Sequence, residues 1–197
     1  NLRQLAIAMT NYNAAYNSLP LHAIYSKDGQ PLLSWRVALL PFIEPDLTLY
    51  KQFNLDEPWN SPHNKKLLAK MPRYYAPPGK TAPGPGLTYY QVFVGKGSVF
   101  EGQRKLSLEA IEKADGNPNT LLLVEARKPV PWTSPEDLPF EASKPLPRVG
   151  ELFPDGFHAA FCDNSTLFIP RAAPQEKLRA MITWNGREKV DPRKLVP

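Results

Sequence analysis

The sequence predicts an α+β domain in which an N-terminal helix is followed by antiparallel strands. Apolar residues repeat at helical spacing over residues 2–19, and residues 157–169 have the pattern of a hairpin with a tight turn at Asp163-Asn164. Proline accounts for 23 of the 197 residues, more than twice the average of about 5%, which excludes an all-helical bundle. The length suits a single domain over residues 1–197, and an apolar fraction of 42% excludes wholesale disorder.

The first predicted element is an amphipathic helix that ends at Pro20. Its apolar residues recur every three or four positions and form one stripe, which continues to Leu19. The stripe residues that we expect to pack on the sheet are Leu2, Leu5, Met9, Tyr12 and Tyr16. Asn1 is a candidate N-cap. The pattern fits a complete surface helix, and it also fits residues 1–20 as the end of a longer N-terminal helix, which is the interpretation that we prefer.

Short accessory helices and irregular segments are predicted next. Ser34 is placed to cap a helix that stops near Pro41, and Ser61-Pro62 is typical of a helix start. Four prolines and three glycines between residues 77 and 86 exclude regular structure there. The predicted helices of this half cover residues 35–40, 46–53 and 63–71.

Strand patterns dominate the second half of the chain. Residues 88–94 are rich in aromatic and β-branched side chains, and residues 120–126 form a continuous apolar run. In the 157–169 hairpin, Phe157, Ala159 and Phe161 face one way, and His158, Ala160 and Cys162 the other. Helices are predicted over 107–114 and from Pro174 onward, and a proline-rich loop over 129–154.

The sequence indicates no enzymatic chemistry. Cys162 is the single cysteine, which excludes an internal disulfide and a multi-cysteine zinc site. It shares a strand face with His158, but four residues of strand separate the two by roughly 13 Å, so we interpret it as a buried structural thiol. Glu125 lies in an apolar strand and is interpreted as salt-bridged or at a strand end rather than catalytic. We therefore predict no catalytic residues and no cofactor.

A calcium site is the one metal site that the sequence suggests. Calcium binds carboxylate and amide oxygens supplied by loops. The candidate ligands are Asp155, Asp163, Asn164 and Glu125. Turn formation explains Asp155 and Asp163 equally well.

The positive charge is uneven along the chain. The formal net charge is +5, and no acidic residue occurs between Glu57 and Glu101. This basic stretch and nearby indoles are candidate contacts for a polyanion: Trp59, Trp132, Lys65, Lys66, Lys70 and Arg73. A solvated face beside a sheet is the alternative interpretation. No nucleic-acid-binding motif occurs, and a nucleic acid partner is not expected.

Three segments resemble a large bacterial family of pseudopilin-like proteins. Residues 1–16, the block from Ser34 to Asn64, and residues 156–165 carry the resemblance, which extends over nearly the whole chain. That family has a prepilin cleavage/methylation signal at its N-terminus and a His-nine-residues-Asp-Gly motif near its C-terminus. Here Phe153 stands in place of the motif's His, and Asn164 in place of its Gly.

The resemblance implies a pilin-like fold and a non-enzymatic structural or assembly role. It further implies export, anchoring in the inner membrane through a helix upstream of Asn1, and a periplasmic or cell-surface location. Other subunits, either copies of this chain or pseudopilins, are the implied partners. Most members have unknown function. The alternatives are a cell-surface module that binds polysaccharide or another polyanion, and a hydrolase.

Overall fold

A four-stranded antiparallel sheet forms the centre of the structure, a computed structural model that describes residues 1–43, 47–77, 84–150, 152–188 and 190–195. The strand order is β3-β5-β7-β8. The bounds are Leu87–Gln91 for β3, Leu121–Pro131 for β5, Gly156–Phe161 for β7 and Thr166–Pro170 for β8. β5 pairs with β3 on one side and with β7 on the other.

Two further strand pairs flank the sheet. β1 (Ala23–Tyr25) and β2 (Pro31–Ser34) are antiparallel, whereas β4 (Phe93–Val94) and β6 (Leu138–Pro139) are parallel. The α-helices are α1 (Leu2–Tyr16), α2 (Trp35–Ala38), α3 (Leu40–Ile43), α4 (Leu108–Lys113) and α5 (Gln175–Ile182). Among the described residues, no helix has the length and apolar character that a transmembrane helix needs.

The sheet separates two hydrophobic clusters. On one face, α1 packs against β5 and β7, and the cluster there includes Ala160 and Cys162. On the other face, α5 covers Phe157, Ala159 and Phe161. The alternation predicted for residues 157–162 is therefore confirmed, as is the α+β class. Both faces of β7 carry mostly apolar residues, because a hydrophobic cluster covers each of them.

The proline-rich loop is more structured than the sequence predicted. β5 extends to Pro131, and β6 lies within the predicted loop of residues 129–154. After Ala126, β5 remains paired with β3, but none of its residues there is paired with β7. A strand with one open side accommodates prolines, which lack the N–H that a second neighbour would require.

Arginine side chains fix the rest of this loop. Arg179 of α5 donates to the backbone carbonyls of Glu141, Ala142 and Lys144. Arg171, just after β8, donates to carbonyls at the far end of the loop. The loop is thus attached to the hairpin and to α5 by hydrogen bonds between guanidinium groups and carbonyls.

Several predicted helices differ in type or extent. The 63–71 segment is a 3₁₀-helix over Asn64–Lys70, and the 46–53 segment contains a short one over Tyr50–Gln52. Pro41 lies in the first turn of α3 and does not simply end the preceding helix, because proline is tolerated there. Residues 44–46 and 78–83, including most of the predicted irregular arm, lie outside the described residues.

Candidate functional site

The stripe predicted on the first helix divides into two parts. Leu2, Leu5 and Met9 are buried against the sheet. Tyr12 is half-buried, and its ring packs on Tyr16 and on Phe42 of α3. Tyr16 itself is 62% exposed, contrary to its predicted place in the sheet contact. The last turn of α1 extends past the sheet, so its aromatic residues pack on Phe42 of α3 instead.

Two apolar side chains of α1 are exposed, and they lie on opposite sides of the helix because nine residues separate them. Three large hydrophobic residues are exposed among the described residues, and two of them, Ile7 at 42% and Tyr16 at 62%, belong to α1. The third, Leu47, lies outside the helices at 38% exposure. Ile7 lies on the face opposite Leu5 and Met9. Tyr16 lies on the stripe that faces the sheet and α3.

The first turn of α1 lacks the usual features of a helix start. Asn1 makes no side-chain capping bond, and the turn contains no acidic residue. The Asn1 amide instead donates to the carbonyls of Arg73 and Ala76. Asn1 thus occupies the predicted N-cap position, and its carbonyl accepts the N–H of Leu5, but its side chain does not cap the helix.

A buried carboxylate and an imidazole meet on the α1 side of the sheet. One carboxylate oxygen of Glu125 on β5 accepts the backbone N–H of His158 on β7 at 2.9 Å and lies 3.0 Å from its ring Nδ1. The Glu125 side chain is 4% exposed, and that of His158 is 39% exposed. Glu125 is therefore salt-bridged whenever His158 is protonated, in agreement with its interpretation from sequence.

This pair opens into a cavity of about 180 Å³ beside the start of α1. Tyr90 and Arg3 also line the cavity, and Phe153 packs edge-on against the His158 ring at 4.8 Å between centroids. Burial, and secondarily the charge of Glu125, raise the pKa of Tyr90. A carboxylate, an imidazole and a neutral phenol in one cavity have the chemistry of proton transfer.

Sequence reasoning missed this grouping. The acid in the apolar run of β5 is recognisable from the sequence, but its partner on β7 is not. The available signal was that His158 and Glu125 each interrupt an apolar strand. Register decides that they are neighbours: β5 pairs with β7 through Leu123–Ala160 and Val124–Ala159, which brings Glu125 opposite His158.

The predicted calcium ligands do not come together. Asp155 precedes β7 and Asp163 follows it, so the two lie at opposite ends of the strand, roughly 20 Å apart at about 3.3 Å per residue. Asp163 accepts from the backbone and hydroxyl of Ser165, and Asn164 accepts from Thr10. Among the described residues, no three His, Cys, Asp or Glu side chains form a group suited to a metal ion.

The predicted polyanion contacts do not form one surface either. Trp132 is fully buried, stacks on Tyr75 and donates to the carbonyl of Leu68. Trp59 is partly buried against the same cluster. The basic side chains Lys65, Lys66, Lys70 and Arg73 are exposed as expected for a solvated face. The indole of Trp132 is a core residue and is not available to a ligand.

The Cys162 thiol is a buried structural group. Its exposure is 2%, and burial raises its pKa, with a smaller contribution from the charge of Asp163. Such a thiol is a poor nucleophile at neutral pH. This agrees with its interpretation from sequence.

Residues 1–91 match the model of a protein family described as "Protein of unknown function (DUF1559)". The matched segment runs from α1 to the end of β3 and includes two of the three segments that carried the pseudopilin resemblance. The C-terminal hairpin lies outside it. No curated protein matches the chain. No solved structure matches it either.

Proposed function

We propose that this chain is a structural or assembly domain of the type IV pilin or pseudopilin kind. The observation that carries the proposal is the position of α1, which buries Leu5 and Met9 on an antiparallel sheet while exposing Ile7 on the opposite face. Ile7 thus offers an apolar contact on the side of α1 that the sheet does not cover. Its partner is a second subunit, either a copy of this chain or a related pseudopilin.

The proposal includes export and anchoring in the inner membrane, with the domain in the periplasm or at the cell surface. The family match over α1 supports it together with the pseudopilin resemblance. Detection of the full-length protein in membrane fractions, with this domain sensitive to protease added outside the inner membrane, tests this part.

The assembly surface is tested by charge substitution. We expect Ile7→Glu to reduce self-association in sedimentation velocity at rising protein concentration, because the carboxylate would be desolvated in the contact. The matched control is Leu47→Glu, which places the same charge at the exposed hydrophobic residue outside α1. Chains that stay monomeric at all concentrations, or two variants that associate equally, would contradict the proposal.

The alternative of a cell-surface module that binds a polyanion has no support from the predicted contact residues. Its indoles are buried or partly buried, and its lysines are dispersed on a 3₁₀-helix.

A hydrolase is the second candidate function, and the Glu125–His158 pair favours it. Glu125 is placed to orient the imidazole through Nδ1, which leaves Nε2 as a possible base in the cavity. The test is a screen with chromogenic ester and glycoside substrates, repeated on His158→Gln. Turnover by the wild type that the variant loses supports the alternative, and absence of turnover or equal turnover by both removes it.

A further inference from the structure

A larger cavity, of about 370 Å³, lies on the α5 side of the sheet. Its floor consists of apolar side chains from the strands and from α5: Phe93, Leu121, Phe157, Leu178 and Ile182. Residues 146–150 of the proline-rich loop close the other side. The volume falls within the range of small-molecule sites, about 300–1,000 Å³.

Three arginines line this cavity, which we call the arginine cavity. They are Arg127 of β5, Arg148 of the loop and Arg171 after β8. Of the described residues that line it, none is acidic. Positive charge above an apolar floor complements a ligand that is itself divided into an anionic and an apolar part.

Arg171 is held in place by neutral groups. Its Nε donates to the carbonyl of Pro154 at 2.8 Å, and one terminal nitrogen donates to the carbonyls of Phe153 and Gly150 at 3.0 and 3.3 Å. Carbonyls orient a guanidinium without neutralising its charge. The other terminal nitrogen takes no part in these three bonds.

We propose that the arginine cavity binds a small amphipathic anion, with an apolar body on the floor and a carboxylate or phosphate at Arg171 and Arg148. Planar guanidinium groups suit both head groups because they offer paired, charge-assisted N–H donors. An uncharged molecule of the same shape lacks this interaction, and a cationic one is repelled by Arg148 and Arg171. The proposal does not depend on the assembly role.

The test is calorimetric titration of the full chain with four probes of equal chain length: octanoate, octyl phosphate, 1-octanol and octylamine. We expect saturable 1:1 binding of at least one anion, and at least about tenfold weaker binding of octanol and octylamine. Affinity should fall as salt rises, because the head group is held by charge. Comparison of octanoate with octyl phosphate identifies which anion the site prefers.

Arg148→Gln is the informative variant because Arg148 is exposed and lines the cavity. We expect it to weaken anion binding about tenfold with little change in stability. The matched control is Lys177→Gln, which removes one positive charge from α5 outside the cavity lining and should leave affinity within about twofold. Arg171→Lys, which retains charge but not the planar fork, should also weaken binding.

Three results would overturn the proposal. The first is the absence of saturable binding of either anion up to millimolar concentration. The second is equal binding of octanol or octylamine, which would indicate a purely apolar cleft. The third is an unchanged affinity in Arg148→Gln.

Discussion

Arg36 and Asp137 form the most deeply buried ion pair in the described part of the chain, with both side chains at 0% exposure. One nitrogen of Arg36 lies 2.8 Å from Asp137 Oδ1, and the guanidinium also donates to the carbonyl of Tyr90 and the hydroxyl of Ser34. Asp137 Oδ1 further accepts the backbone N–H of Val92. The pair therefore joins the α2 region to β3 and to the segment before β6.

Loss of Arg36 should destabilise the protein strongly. In Arg36→Met, the buried carboxylate of Asp137 and the carbonyl of Tyr90 lose their donors, and we expect the free energy of unfolding to fall by about 3–5 kcal/mol. Urea denaturation followed by circular dichroism measures it. The control is Lys144→Met in the exposed pair with Glu141, for which a change below about 1 kcal/mol is expected. If both variants lost a similar amount of unfolding free energy, burial would not be what makes the Arg36–Asp137 pair costly to break.

The pH dependence of stability should contain a contribution from Asp137. Burial raises the pKa of Asp137 to about 6, although Arg36 and the hydrogen bonds act in the opposite direction. Between pH 4 and pH 6 the folded protein therefore binds more protons at this site than the unfolded chain, so this contribution to the free energy of unfolding falls as pH rises.

Urea denaturation at pH 4.5, 5.5 and 7.5 tests the sign. The wild type should lose stability relative to Asp137→Asn as pH rises through this window, because the variant has no carboxyl to titrate. A difference between the two that is constant or grows with pH would contradict the direction of the pKa shift.

At the scale of elements, the β7–β8 hairpin depends on the conformation of one turn residue. Asn164 has φ 66°, in the left-handed region that asparagine and glycine tolerate best. Its side chain also accepts a 2.9 Å hydrogen bond from Thr10 of α1. The residue thus sets the turn and also connects the hairpin to the helix.

Two substitutions separate these roles. Asn164→Ala should lower the free energy of unfolding by about 1–2 kcal/mol more than Asn164→Gly, because both variants lose the Thr10 bond but alanine alone strains the left-handed turn. Thermal or urea denaturation measures the difference. Equal effects would show that the turn imposes no backbone cost.

The hairpin and β5 show what sequence can reveal about an element. Residues 157–169 were predictable because alternation and a turn dipeptide are local signals. The extension of β5 to Pro131 was not, because prolines are permitted there by an open strand side that depends on a distant partner. The Glu125–His158 pair and the arginine cavity were likewise unpredictable, since both depend on strand register and on how the loop folds back.

At the scale of the molecule, the two hydrophobic clusters share the same strands. β5 and β7 contribute to both, with Leu123 and Ala160 on the α1 side and Val124 and Ala159 on the α5 side. The shared strands predict that the two sides unfold together. The four tryptophans all belong to the α1 side, where Trp35, Trp132 and Trp184 are buried and Trp59 is partly buried.

This distribution permits a test of cooperativity. Met181→Ala truncates a fully buried residue on the α5 side, and it should lower the free energy of unfolding by about 2–5 kcal/mol. Tryptophan fluorescence, which reports the opposite side, should shift to the same midpoint as circular dichroism. Leu5→Ala on the α1 side is the matched comparison. A fluorescence midpoint that Met181→Ala leaves unchanged would mean that the two sides unfold separately.

The way in which the proline-rich loop is attached makes the fold independent of the redox potential around it. Arg171 and Arg179 secure this long connection through carbonyl contacts, while the lone thiol is buried. In proteins that hold such loops with disulfide bonds, the loops detach when a reducing environment breaks those bonds. Guanidinium groups carry no such sensitivity, so the loop is expected to stay attached whatever the redox potential of the compartment.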